Sequence, residues 1–283
     1  MFISPMLLQT AAGPFSHSDF IYEPKIDGHR LIYSQESGKI RLYTRHDIDC
    51  TRQYPELHLP FANDVVLDGE IACVDPTTGV SDFESVMSRF QTRRAEKIVQ
   101  LTGTLPAYYA IFDILMYKGQ DLRGLPLMSR KEILAGLTQP SNNFGIVPHV
   151  EGAGEALFEQ IETRGMEGVV GKHKNSVYET GRRSHAWQKV INWTYAEVFI
   201  TGYRKQEFGW LAAVPSGTSG KLRPELGASP IHKQALRGVA QQLVKGEDKD
   251  FVHLEPRLRA KVRMRNWTKS GMLRSPAFTE FIV

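Results

Sequence analysis

Two apolar runs of strand length are broken by acids. Val65-Val66-Leu67 meets Asp68-Gly69-Glu70 and resumes as Ile71-Ala72-Cys73-Val74, and the run over residues 108–116 carries one charge, Asp113. A third, Val169-Val170, is flanked by Glu167 and Lys172. Apolar runs this short read as buried strands rather than helices. A carboxylate rarely enters such a strand unless it is paired, ligated or lining a cleft. Singly, each of these residues reads more simply as an outward or edge-strand position. Together they favour one cleft walled by strands.

A lysine lies where such a cleft would use it. In Tyr22-Glu23-Pro24-Lys25-Ile26-Asp27-Gly28-His29-Arg30, residues 20–24 and 30–34 read as two strands of a hairpin closed by a tight Asp-Gly turn. Held there, Lys25 is a candidate nucleophile toward phosphorus. A lysine beside an Asp-Gly turn is also an ordinary solvated residue, and this run alone does not decide between the two.

The remaining periodicity gives an α+β chain. Ser37-Gly38 turns into a strand over 39–44, and Arg45-His46-Asp47-Ile48-Asp49 is polar loop. A turn is expected at Pro76-Thr77-Thr78-Gly79, and a helix over 82–90 capped by Ser81 or Asp82. A further helix begins at 129 and is expected to end early near Gly136, and another covers 155–164. Past Val190 to Trp193 the pattern changes to short strands, 197–203 and 209–214, then one helix over 230–244, a segment at 261–266 and an end at Phe281-Ile282-Val283. Short strands around one helix fit a small Greek-key barrel. The expected domains are therefore residues 1–190 and 191–283.

With 41% apolar and 23% charged residues, disorder is not the default reading. No apolar run approaches the roughly 18 residues of a membrane span, and the first residues lack the shape of a secretory leader. A cytoplasmic, reduced protein is expected, with Cys50 and Cys73 as incidental thiols. The nine histidines make no zinc spacing, and Gly152-Ala153-Gly154 is too short for a phosphate loop. Charge is uneven. Residues 192–283 hold 15 Lys/Arg against 8 Asp/Glu, while the rest holds 20 against 23. A basic final third suits contact with a polyanion, though charge count alone fits an ordinary basic surface equally well.

The ordered set of stretches resembles the ATP-dependent DNA ligases, within the covalent nucleotidyltransferases. Lys25-Ile26-Asp27-Gly28-His29-Arg30 looks like the first motif of that family, and Thr44-Arg45-His46-Asp47 like the short motif whose arginine meets the nick phosphate. Asp68-Gly69-Glu70 resembles the third motif, and Ile111-Phe112-Asp113-Ile114 the segment with the adenine-stacking aromatic. Glu167-Gly168-Val169-Val170-Gly171-Lys172 resembles the fourth and Arg183-Ser184-His185-Ala186-Trp187-Gln188-Lys189 the fifth. The match runs over about 22–189 and more loosely to 276. The stretch from Trp267 to Pro276 resembles the close of bacterial end-joining ligases.

The resemblance implies a nucleotidyltransferase domain (ATP-grasp-like, antiparallel sheets with flanking helices) followed by a small OB-fold barrel. It implies ATP and Mg²⁺ as cofactors and nicked duplex DNA as partner, with the enzyme a monomer. Lys25 would form a lysyl-AMP. Arg30 and Glu70 would hold the ribose, Phe112 would stack on adenine, and the backbone near Glu23 would read its edge. Glu70 and Glu167 would hold the metal, and Lys172 and Lys189 would face the α-phosphate. A lysine attacks only as the free amine, which neighbouring cations and desolvation favour. Asp27 would position Lys25, bond the turn backbone or act on the nick hydroxyl. Arg45, Arg263, Arg265, Lys269 and Arg274 would contact DNA.

Two departures follow from the same comparison. The fifth motif usually has a second basic residue where this chain has Ile191, and the terminal Arg-x-Asp-Lys motif of many ligases is missing. Lys261, Arg263, Arg265, Lys269 and Arg274 are the candidates to replace the latter. The competing readings are an RNA ligase or capping-type enzyme on the same core, and a nucleic-acid-binding relative without activity. Phe208, Trp210 and Trp267 are expected in the barrel core rather than stacked on bases.

Overall fold

The computed structural model describes residues 1–58, 61–75, 77–137, 141–206, 209–215 and 229–282. Pro76, Phe208 and Val283, singled out above, lie outside the described residues. The chain divides into two compact units, Met1–Asn192 and Trp193–Val283.

In chain order the first unit contains β1 (Leu7–Thr10), β2 (Phe20–Pro24), β3 (His29–Glu36), β4 (Lys39–Thr44), β5 (Val65–Ala72), α1 (Phe83–Gln91) and α2 (Ala95–Thr104). It continues through β6 (Tyr108–Tyr117), β7 (Gln120–Asp121), α3 (Leu127–Leu137), β8 (Phe144–Ile146), β9 (Val150–Glu151), α4 (Gly154–Thr163), β10 (Gly168–His173) and β11 (Arg183–Ile191). These strands form two sheets. One is ordered β1-β11-β10-β2-β9, the other β4-β3-β5-β6-β7 with β8 beside β6. Most neighbours are antiparallel; β1–β11 and β6–β8 are parallel.

Period-2 alternation decides which side chains meet across the sheets. Ile21 and Trp187 from the first sheet join Ile32, Val66 and Leu115 from the second in one buried cluster. The opposite face of the second sheet turns Leu31, Tyr33, Leu42, Leu67 and Ile111 toward Val86 of α1 and the short turns holding Tyr54 and Leu57. On the far side of the first sheet, Ile161, Leu157 and Phe158 of α4 pack on Tyr22 and Val169.

Helix ends follow side-chain chemistry. Asp82 caps α1, its side chain accepting from the amides of Glu84 and Ser85. In α3, Leu127, Arg130, Lys131 and Leu134 form the buried stripe. That helix starts earlier than expected and runs through Gly136, because packing of this stripe outweighs the roughly 1 kcal/mol penalty of one interior glycine.

Two expectations about strands are corrected. β2 and β3 do not form a hairpin; they belong to different sheets. The Lys25 amide still bonds Gly168 O of β10 at 2.8 Å, so the chain stays with the first sheet past Pro24 and then crosses to the second. Asp68-Gly69-Glu70 does not interrupt β5, which is continuous; the local irregularity is a register shift against β6 between Asp68 and Gly69. A Cβ on Gly69 would come within 2.6 Å of Ala110 O and 2.5 Å of the Tyr109 ring, so glycine permits the close approach here.

The second unit has β12 (Thr194–Arg204), β13 (Trp210–Ala213), α5 (Pro230–Ala240), β14 (Val244–Glu247), β15 (Phe251–Met264) and β16 (Ala277–Ile282). Its sheet is ordered β13-β12-β15-β14, with β16 also on β15. Ser229 caps α5. The helix stops at Ala240, followed by a short 3-10 turn, Gln241–Leu243, where a helix to residue 244 was expected. Trp210, Leu236, Ala260, Val262 and Phe278 form its core. Trp267 is not in that core; it is 44% exposed, in the loop between β15 and β16.

Candidate active site

The crossing from β2 to β3 runs along one wall of a cavity in the first unit, lined by Leu8, Glu23, Pro24, Lys25, Ile26, Arg30, Glu70, Phe112, Val170, Lys172 and Trp187. Glu23, Lys25, Arg30, Glu70, Phe112 and Lys172 were singled out from sequence, and four strands (β2, β3, β5, β6) and β10 bring them together. Leu8, Val170 and Trp187 complete the wall and were not singled out.

At one end is the lysine. Lys25 Nζ lies 2.6 Å from Glu167 Oε2, and both side chains are mostly buried. Asp27 is buried at the crossing, and its amide bonds Ser81 Oγ at 3.1 Å. Glu70 stands nearby on β5. Burial pushes its carboxyl up to about 7, against the opposing pull of Lys25 and Arg30.

Arg30 is fixed by a fully buried acid. Its Nε and Nη2 each lie 2.5 Å from an oxygen of Asp68, which also accepts from Tyr178 Oη at 2.6 Å. Burial opposes the Arg30 charge, but Asp68 more than compensates and raises its pKa. The guanidinium carbon sits 4.6 Å from the centre of the Phe112 ring, so Arg30 reaches the cavity already oriented. Asp113 is likewise paired, with Arg130 of α3 at 2.8 Å. It braces β6 and does not line the cavity.

The aromatic end holds a second charged group. Lys172 Nζ lies 4.2 Å from the ring centres of both Phe112 and Trp187 and 2.7 Å from Glu23 Oε2. Lys131 of α3 pairs with the other Glu23 oxygen. Burial works against the Glu23 charge, but the two ammonium groups hold its carboxyl below the usual range. Burial pulls Lys172 down to about 8 despite Glu23, with Lys131 adding repulsion. Lys172, expected at the α-phosphate, thus has its ammonium committed to Glu23 beside the rings. Lys131 was not singled out. Its signal was the spacing of Leu127, Arg130, Lys131 and Leu134, which puts both cations on the apolar stripe.

Lys189 does not line the cavity, but it pairs in register with Val170, which does, so it shares that face of the sheet. Ile191, where the resemblance expects a second cation, is 6% exposed and packs as an apolar residue. Arg45 is on the exposed loop after β4, its Nε 2.9 Å from His46 Nε2. In the second unit, Arg263 and Arg265 place their guanidinium carbons 4.7 and 4.9 Å from the Trp193 ring centre. Lys269 and Arg274 belong to the loop before β16, where Arg274 donates to Asn266 Oδ1 at 3.3 Å.

Among the described residues no group of three or more His, Cys, Asp or Glu forms a cage for a metal ion. Glu70, which lines the cavity, and Glu167, which meets Lys25, are hard oxygen donors, and Mg²⁺ is commonly held by one or two carboxylates plus substrate phosphates. The donor set therefore fits a divalent ion that arrives with a nucleotide. Among the described residues no helix is long and apolar enough to cross a membrane.

Comparison with known proteins converges on one chemistry. A family model described as the ATP dependent DNA ligase domain matches residues 5–190. The chain is 38% identical over its whole length to the SPbeta prophage-derived DNA ligase-like protein LigB of Bacillus subtilis strain 168, covering all of that protein. It is 29% identical over 98% of its length to the multifunctional non-homologous end joining DNA repair protein LigD of Mycobacterium tuberculosis strain H37Rv, of which it spans 38%. A solved structure described as mycobacterial DNA ligase D complexed with ATP and MES superposes with a TM-score of 0.59 at 27% identity, covering 99% of this chain and 95% of that one.

Proposed function

The chain belongs to the ATP-dependent DNA ligases, enzymes that form phosphodiester bonds by way of a lysyl-AMP, and on that premise we propose that Lys25 is the residue adenylated. One observation carries the assignment. Lys25 opens onto the same cavity as Phe112, Arg30 and Glu70, so an amine, a stacking ring and ribose-binding groups share one enclosure.

Lys25 Nζ attacks the α-phosphorus of ATP. The N–P bond forms as the bond to the β-phosphate oxygen breaks, and pyrophosphate leaves. The AMP then passes to the 5′-phosphate of a nick, and the 3′-hydroxyl attacks that phosphate and releases AMP. Each step is an in-line displacement that gains mainly from alignment and charge neutralisation. Phe112 stacks on the adenine, and Arg30, locked by Asp68, and Glu70 hold the ribose. The main chain at Glu23 reads the base edge, with its side chain pinned by Lys131 and Lys172. Lys189 and Lys172 supply positive charge along the same sheet face, and Asp27 orients the crossing that carries the nucleophile. Glu70 and Glu167, together with the nucleotide phosphates, would hold Mg²⁺, which would supply positive charge at the phosphates.

Residues 1–190 act as the adenylation domain and residues 191–283 as an OB-fold domain. Among the described residues of the second unit, five strands and one α-helix support the latter reading. Arg45, Arg263, Arg265, Lys269 and Arg274 contact the DNA backbone.

Intact-mass analysis after incubation with ATP and Mg²⁺ tests the assignment. One AMP should be added to the wild type, from ATP and not from GTP, and none to Lys25→Ala. An adduct that survives in Lys25→Ala overturns it.

A further inference from the structure

The first unit has a second and larger hollow that shares no lining residue with the nucleotide cavity. Its charged walls are Lys39 and Arg41 of β4, Arg52 in the turn beyond it, Arg93 just ahead of α2, and one acid, Asp49. The unit as a whole carries 20 Lys/Arg against 23 Asp/Glu. A hollow drawn at random from it would hold about as many acids as bases. Here four cations face one carboxylate, and that carboxylate is already paired with Arg41 at 3.0 Å.

All four cations are exposed. Exposed like charges gathered around a concave wall raise the local potential, which favours a polyanion. Long solvated side chains are poorly suited to fixing one small anion, but they suit a repeating backbone contacted phosphate by phosphate. Lys39 and Arg41 are two residues apart on one face of an edge strand, about 6.6 Å along it. Arg45 follows four residues after Arg41 in the same chain direction.

Resting on the ligase reading above, we infer that this hollow is a second phosphate-contact surface, which takes the sugar-phosphate backbone of the duplex arm beyond the nick. The arm is held through charge and register, without reading bases.

The test uses the full chain and a 5′-phosphorylated nicked duplex with either long or short arms, with binding followed over a range of KCl concentrations. Lys39→Ala/Arg52→Ala removes two cations that lie outside the nucleotide cavity, so intact-mass adenylation should match wild type. Affinity for the long-armed duplex should fall about tenfold at low salt, and the slope of log affinity against log salt should shrink by about 1.8, for two lost contacts. The short-armed duplex should show no loss. Unchanged affinity and slope on long arms, or an equal loss on both arm lengths, overturns the surface while the ligase reading stands. A wild type that fails to adenylate overturns the Lys25 reading and this inference with it.

Discussion

At the scale of single residues, three acids inside strands are each held by cations. Asp68 holds Arg30, Asp113 holds Arg130, and Glu23 holds Lys131 and Lys172. A buried pair of this kind adds little net stability, but removing one partner strands a charge at a cost of about 3–5 kcal/mol, so each pair enforces one orientation. His29, beside Arg30, is half-buried, and among the described residues no acid is paired with it. Its Nε2 lies 2.6 Å from Tyr54 Oη, and its ring packs against Phe90. Burial lowers its pKa to about 4. An unfolded histidine takes a proton near pH 6.5, so between pH 6.5 and 4 the unfolded chain binds more protons than the folded one. Stability is therefore lost as pH falls through that window, by about 3 kcal/mol at its lower end. Urea midpoints measured from pH 7 to pH 4 should fall less steeply in His29→Gln than in wild type. Identical slopes would remove His29 from the account of acid sensitivity.

At the scale of elements, Gly28 shows what a pattern in sequence conveys and what it does not. Asp27-Gly28 looks like a hairpin turn, yet the glycine is needed for proximity. A Cβ there would lie 2.0 Å from Ile71 O on β5. Gly28→Ala should force the start of β3 off β5, costing on the order of 1–3 kcal/mol. Because Lys25 is three residues upstream, adenylation should slow more than tenfold. Gly13→Ala, with nothing near the added methyl, should change neither. Urea unfolding and the rate of AMP incorporation read both effects, and normal adenylation in Gly28→Ala would break the link between the crossing and the nucleophile. Alternation and capping made β4, β6 and α1 legible, because period and Asp82 are local signals. Strand partners were not legible. The parallel pairing of β1 with β11 joins residues some 180 apart, and periodicity tells which face is buried, not against which neighbour. Six cavity residues, Glu23, Lys25, Arg30, Glu70, Phe112 and Lys172, were legible as motifs, whereas Leu8 lies in no motif. The cluster of Lys131 with Glu23 was hidden because a lysine in a helix is ordinarily solvated.

At the scale of the whole molecule, charge is divided between the units. The first is net −3 and the second +7, with 15 Lys/Arg against 8 Asp/Glu in the latter. A protein that grips a duplex through lysines and arginines displaces counterions, so its affinity should fall steeply and linearly on a log–log plot of salt. The second unit should carry much of that slope. Arg263 and Arg265 are the sharpest test within it, because both guanidinium groups are already ordered on Trp193. Stacking on a ring orients the guanidinium plane, so a pre-oriented arginine meets a phosphate with less entropy to lose. If the pair were present only to cover Trp193, Arg263→Ala/Arg265→Ala would lower the urea midpoint and leave the salt slope of nicked-DNA binding unchanged. If the pair holds phosphates, the slope should drop by about 1.8, with Lys25 adenylated at the wild-type rate. A lowered midpoint with an unchanged slope would remove both arginines from the DNA contact, and the second unit's charge would then have to act through other residues.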